Sequence, residues 1–318
     1  MANAKTAAAI EKAAGASRSW LKLNNRGLTE VPNELCSLVH LQRLEMNENQ
    51  LANLPARLTQ LADLRELDLS GNRLASLAPL SELGELRVLH LNVNQIDRLT
   101  PEISRLAKLE LLNLSANPLD SLPPEIGQLS ALKELHIEHT GITALPDEIG
   151  ELTSLEFLYL SGCYLGELPE ALRPLKSLEV LFLSDCGLTG LPAWISEFPK
   201  LKVLNLPGND LPSLPPAIYE IDALEAVFLD RNQRLGRVDV PEGAWTNLRH
   251  LEATGCGLRA VPESLFDLPW LAHIHLAGNP DLPRFDLPDG AFPNLMSLST
   301  DHLDLYKGSS GDWRQETR

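Results

Sequence analysis

The chain has 318 residues, with 43 Asp and Glu against 27 Lys and Arg and a formal net charge of −16. Such a field repels nucleic acid and anionic membrane; it favours a basic partner, though acidity is also an ordinary route to solubility. No apolar run reaches the roughly 18 residues a membrane-spanning helix needs, so membrane insertion is not expected, and four cysteines with no cluster at either end point to a reducing compartment.

Residues 1–19 read as a capping helix or leader. MANAKTAAAIEKAAGASRSW is broken by Lys5, Glu11 and Lys12 and lacks the strongly apolar centre of a secretion signal. From Asn3 to Ala14, the residues Ala7, Ile10, Ala13 and Ala14 give a weak apolar face at helical spacing, and Gly15 is a natural stop. Such a helix would cover the open end of the core that follows; a disordered leader is the alternative.

Residues 20–300 are periodic. In LEFLYLSGCYLGELPEALRPLKS (Leu155 to Ser177), apolar residues fall at positions 1, 4, 6, 11, 14, 18 and 21, and neighbouring copies repeat the pattern. The frame runs through Leu44, Leu67, Leu89, Leu112, Leu135, Leu158, Leu181, Leu204, Val227, Leu251, Ile274 and Leu298, in steps of 22 to 24 residues. Each copy opens with a short strand of period two, as in Phe157-Leu158-Tyr159-Leu160. One copy cannot cover its own leucines, so the copies must stack around a shared core.

Trp20-Leu21-Lys22-Leu23 is the first strand, with Arg26 where later copies place Asn. Position 9 is then Asn49, Asn72, Asn94, Asn117, Thr140, Cys163, Cys186, Asn209, Asn232, Cys256 and Asn279. An inward Asn amide pairs buried turn backbone, and Thr or Cys offers fewer bonds, so the Thr140 to Cys186 copies are expected to be softer. Leu-Pro pairs such as Leu54-Pro55 and Leu145-Pro146 preset the backbone for short turns on the outer side. The later copies are less regular, with Pro241 to Trp245 and Pro288 to Phe292 replacing that pattern. Residues 301–318 read as a tail, flexible from Lys307 onward.

This pattern is that of a leucine-rich repeat. The predicted fold is α/β, a right-handed solenoid or horseshoe with a parallel concave sheet and short 3-10 or helical turns on its convex side. LELLNLSANPLDSLPPEIGQL (Leu109 to Leu129) matches the 23-residue consensus at every position. It resembles repeats of plant intracellular Ras-group proteins, animal Ras-binding scaffolds, Roco GTPases and bacterial effectors, and Gly15 to Leu28 is similar to the lead-in of bacterial Roco-type arrays. No G-x-x-x-x-G-K-[ST] is present, so Roco activity does not carry over. Some effectors of this type are ubiquitin ligases with a Cys-x-Asp site, which none of Cys36, Cys163, Cys186 or Cys256 matches.

Positions 3, 5, 7 and 8 face away from the core and form rows across strands about 4.8 Å apart. In the middle of the array Phe157, Tyr159, Val180, Phe182, Val203 and Phe228 form an apolar patch flanked by Asp185, Asp230 and Arg231. With His136 these are the candidate partner-binding residues, since a large apolar patch with a charged rim is an interface signature. The other reading is that they support one another as cross-strand pairs.

Six of eight histidines, His90, His136, His139, His250, His273 and His275, take outward positions. His250, His273, His275 and Glu252 fall on two adjacent strands and could meet zinc. The favoured reading is a surface cluster without a metal, because an open sheet gives no reason for tetrahedral closure; a pH-sensitive interface is a further use. Trp194, Tyr219, Trp245 and Trp270 read as packing between outer turns or as a second contact site.

No G-x-S-x-G, H-E-x-x-H or Cys-x-x-Cys occurs. The expectation is a non-catalytic protein-binding module without cofactor or metal, monomeric and cytoplasmic or delivered into a host cell by a secretion system. Its partner would be a protein, basic or a small GTPase. Alternatives are the substrate-recognition domain of an effector enzyme whose catalytic part lies elsewhere, or an immunity-type inhibitor of a basic toxin.

Overall fold

In the computed structural model the described residues are 4–16, 18–283, 294–302, 304–307 and 313–316. The chain falls into two units, residues 1–157 and 158–318, each with its own core. The expected Asn3 start, the Pro288 to Phe292 segment and most of the tail beyond Lys307 lie outside the described residues.

The first unit opens with helix α1, Ala4–Gly15, which packs against the first strand. Its buried face is Thr6, Ile10 and Ala13, whereas Ala7 and Ala14 are exposed. These three follow an i, i+4, i+7 line, and the polar Thr6 belongs to it where the alanine pattern suggested Ala7. Six three-residue strands follow: β1 (Trp20–Lys22), β2 (Arg43–Glu45), β3 (Glu66–Asp68), β4 (Val88–His90), β5 (Leu111–Asn113) and β6 (Glu134–His136). They pair in parallel and in chain order, so Lys22, Glu45, Asp68, His90, Asn113 and His136 share one row. Phe157, the last residue of this unit, opens β7 (Phe157–Tyr159).

The second unit continues with β8 (Val180–Phe182), β9 (Val203–Asn205), β10 (Ala226–Phe228), β11 (His250–Glu252), β12 (His273–His275) and β13 (Ser297–Ser299). These too are parallel and in register, the central residue of each buried and its two neighbours half-buried. Beyond them the expected tail contributes β14 (Asp304–Lys307) and β15 (Trp313–Glu316), an antiparallel pair built onto β13. The parallel edge leaves backbone donors and acceptors open, and this hairpin satisfies them. Both units are leucine-rich-repeat solenoids, with a parallel sheet on one side and short 3-10 turns on the other.

The leucines of the frame are almost wholly buried, from Leu44 and Leu67 in the first unit to Leu251 and Ile274 in the second. Each such side chain contributes about 1.5 to 3 kcal/mol relative to exposure. A one-residue slip would expose an entire strand's inward set, so burial pins the register. The 3-10 turns include Ala56–Gln60, Pro124–Gln128 and Asp147–Glu151 in the first unit, and Ala193–Glu197 and Pro216–Glu220 in the second. The proline of each Leu-Pro pair stands just outside its turn rather than within it: Pro55, Pro146 and Pro192 have extended backbone with ψ of 146, 152 and 155°. Its carbonyl accepts the first bond of the turn, as when Leu58 N donates to Pro55 O at 2.9 Å.

Inside, the asparagines hold successive turns together. Asn49 Nδ2 donates to Leu23 O at 2.9 Å and Met46 O at 2.8 Å, while its Oδ1 accepts from Leu28 N at 3.0 Å. Asn209 repeats this with Leu183 O, Leu206 O and Leu188 N. Where Cys186 replaces Asn, its thiol donates to Leu160 O at 3.3 Å, so the sulfur takes over one bond of the amide. The four cysteines are free and buried, and burial pushes the Cys186 and Cys256 thiols up to about 12.

The residue two places beyond each strand's buried pair carries a left-handed backbone: Glu48, Val93, Ala116 and His139 in the first unit, Asp185 and Arg231 in the second, with Gly71, Gly208, Gly255 and Gly278 equivalent. The chain must turn sharply there to leave the sheet. Non-glycine residues in this conformation carry strain of about 1 kcal/mol or more.

Candidate functional site

Strands β8 to β12 present the candidate surface of the second unit. Parallel register places Phe182 beside Asn205 and Asn205 beside Phe228, followed by Glu252 and His275. The neighbouring row is Val180, Val203, Ala226, His250 and His273. Tyr159 and Phe182 meet edge to face with centroids 5.0 Å apart, and Phe228 leans on His250 at 5.1 Å. The patch is therefore continuous along the valine row and interrupted by Asn205 between the phenylalanines. Phe182 and Phe228 are half-buried by neighbours, with their outer edges toward solvent. Cross-strand packing and a docking surface are thus two properties of the same rings.

The charged flank is largely self-compensated. Arg231 and Asp185 are exposed and paired at 3.0 Å. Asp230 Oδ1 accepts from the Thr254 amide at 2.7 Å, which fixes its carboxyl beside the sheet. Asp185 and Arg231 owe their outward aim to left-handed backbone at φ 53 and 61°, a constraint their residue types did not announce. The recurrence of Gly at the same place in other copies is the signal that reveals it.

His136 and Phe157 belong to the first unit. His136 lies between Glu134, 2.7 Å from Nε2, and Glu138, 3.7 Å from Nδ1. Burial by itself would depress this imidazole, but Glu138 and Glu134 outweigh it and hold it above its ordinary value. Phe157 is half-buried, and its amide donates to Lys133 O at 2.9 Å.

The histidines of the second unit meet on the adjacent strands β11 and β12, as their spacing suggested, with His273 left outside the closest group. His250, Glu252 and His275 offer donor atoms that all lie within 4.8 Å of one another. His250 Nε2 stands 2.9 Å from Glu252 Oε1, whereas His273 turns Nδ1 to Ser297 Oγ at 2.9 Å. Burial lowers His250 and His273, and burial together with the adjacent Asp230 carboxyl raises Glu252, so these three groups lean toward their neutral forms.

The outer-turn aromatics divide. Trp245 is fully buried, donates Nε1–H to Ile218 O at 3.0 Å and packs on Tyr219 at 4.9 Å between centroids, while Trp270 is exposed. Among the described residues no helix is long and apolar enough to cross a membrane.

Family profiles match three stretches: one described as a leucine-rich repeat region over residues 62–163, one as leucine-rich repeats in two copies over 39–82, and one as a leucine-rich repeat over 154–175 and 177–198. No curated protein matches the sequence. Among solved structures, the Leptospira interrogans LRR protein LIC12759 is 29% identical with a TM-score of 0.71, the match covering 94% of this chain and 82% of that one. The leucine-rich repeat domain of the type III effector XCV3220 (XopL) is 31% identical with a TM-score of 0.63, covering 71% and 80%. The Arabidopsis receptor kinase HAESA, in complex with the peptide hormone IDA and the co-receptor SERK1, is 26% identical with a TM-score of 0.67, covering 83% of this chain and 46% of that one.

Proposed function

The chain belongs to the leucine-rich-repeat family, and from that premise we propose that it is a non-catalytic module that binds a protein partner on the open sheet face of its second unit. The observation that carries this reading is the row of Val180 and Val203 with Tyr159, Phe182 and Phe228, aromatic and aliphatic edges left half-exposed on a rigid sheet. Aromatic anchors on a preorganised surface contribute most of the energy of protein interfaces. Asp185, Asp230 and Arg231 form a polar rim on which a partner's charges can align, and the chain's net charge of −16 favours a basic one. His136 and Phe157, on the first unit, are candidate contacts of that unit taken by itself. The similar HAESA structure holds a peptide hormone, which supports a polypeptide ligand for this chain.

A second reading draws on the likeness to the XopL domain: the chain acts as the recognition part of an effector. It uses the same surface and differs in the owner of the partner, host or self.

The test is capture from host and self lysates, followed by titration of the identified partner against the Phe182→Ala, Phe228→Ala double variant. A loss of at least about 2 kcal/mol in binding with a nearly unchanged melting temperature is expected for anchors of this kind. An unaltered affinity removes this patch from the interface.

A further inference from the structure

We infer that His250, Glu252 and His275 form a binding site for a divalent transition metal, with zinc the best match, on the open face of the second unit. Two imidazoles and one carboxylate are a ligand set of open zinc sites, and also of facial iron(II) sites; the three together satisfy a borderline-soft divalent ion better than calcium or magnesium. This site goes beyond the partner-binding reading and does not depend on it.

Register builds the set. Parallel pairing of β11 with β12 places Glu252 directly opposite His275 and His250 opposite His273. His250 and Glu252 flank the buried Leu251 and so point to the same side, and the ring of His275 reaches diagonally to within 5.8 Å of His250 between centroids. All three donors already lie within 4.8 Å of one another, and His250 Nε2 is 2.9 Å from Glu252 Oε1. Around tetrahedral zinc with bonds of about 2.0 to 2.2 Å, ligand atoms stand roughly 3.3 Å apart. The set therefore closes by side-chain rotation alone, without movement of strands that the buried Leu251 and Ile274 hold in place.

The surroundings suit such a site. His275 Nδ1 is 3.4 Å from Ser299 Oγ, a contact that orients the ring and leaves Nε2 for the metal. Asp230, anchored by the Thr254 amide at 2.7 Å, stands beside the Glu252 carboxyl. Two carboxyls crowded beside two imidazoles gain from a doubly charged ion among them. Each ligand is half-buried, so the fourth coordination position faces solvent, where water or a donor from a bound polypeptide completes the shell. His273, held by Ser297, stays outside the set.

The full chain, carrying no added histidine tag, is titrated with zinc chloride at neutral pH against a chromophoric chelator. One zinc per chain is expected, weakened at least about tenfold in His275→Gln and in Glu252→Gln and unaltered in His90→Gln. Far-UV circular dichroism checks that each variant is folded. Cobalt(II) reads the site without any variant, through the intense visible bands of a tetrahedral complex. The absence of stoichiometric zinc binding, equal binding by folded His275→Gln, or only the weak spectrum of hydrated cobalt overturns the assignment.

Discussion

Arg231 reaches across Gly208 to Asp185, its Nη2 3.0 Å from Oδ2, although 46 residues separate the two in sequence. The bridge is possible because Gly208 has no side chain. A Cβ built there would overlap the Asp185 carboxylate and lie 3.0 Å from Arg231 Nη2, and the glycine itself has φ of +68°. Three successive copies thus cooperate in one charged feature at the flank of the valine row.

The consequence is a sharp contrast between two substitutions. Gly208→Ala forces left-handed backbone on a side chain and displaces the Asp185 carboxyl, and is expected to cost about 1 to 2 kcal/mol in urea unfolding. Arg231→Ala removes only an exposed pair and should cost less than about 1 kcal/mol. Equal effects would show that the strain at Gly208 is not the deciding quantity.

The asparagine rungs set a second contrast. Asn209→Ala strips bonds to Leu183 O, Leu206 O, Cys186 N and Leu188 N, all buried. With each unsatisfied group costing about 1 to 3 kcal/mol, a loss of about 3 kcal/mol or more is expected. Cys186→Ala gives up a weak sulfur donor shared between Leu160 O and Ser184 O and should cost about 1 kcal/mol. Chemical denaturation of the two variants beside the wild type decides the order.

His136 ties stability to pH. Its folded value is raised by Glu138 and Glu134 despite burial, so the stabilisation it contributes is fully present below the unfolded value near 6.5 and is lost as pH rises through the folded value. Relative to His136→Gln, the wild type should gain stability as pH falls through the raised folded value toward the unfolded value near 6.5. A difference that is flat with pH, or that grows toward alkaline pH, contradicts the pairing.

Val93 holds a β-branched side chain at φ 57° with more than half of its surface exposed. Val93→Gly relieves the strain and forfeits little burial, so it should raise stability by about 1 kcal/mol even though glycine loosens the unfolded chain. A destabilised variant would mean that the valine packs better than its exposure indicates.

Leucines at fixed positions of a 23-letter period, with Asn at position 9, determined the repeat fold, the inward set and the outward rows from the letters alone. That works because each copy meets only its neighbours, so period and side-chain alternation already imply what is buried. Spacing could not tell that Thr6 rather than Ala7 would line the buried side of α1, or that the segment after Ser299 would return as β14 and β15. Nor could it pair Asp185 with Arg231, or tell that His273 would turn to Ser297 and leave His275 with His250 and Glu252. Those relationships depend on turn backbone, side-chain rotation and diagonal neighbours across stacked strands, and such distances exist only after the copies have packed.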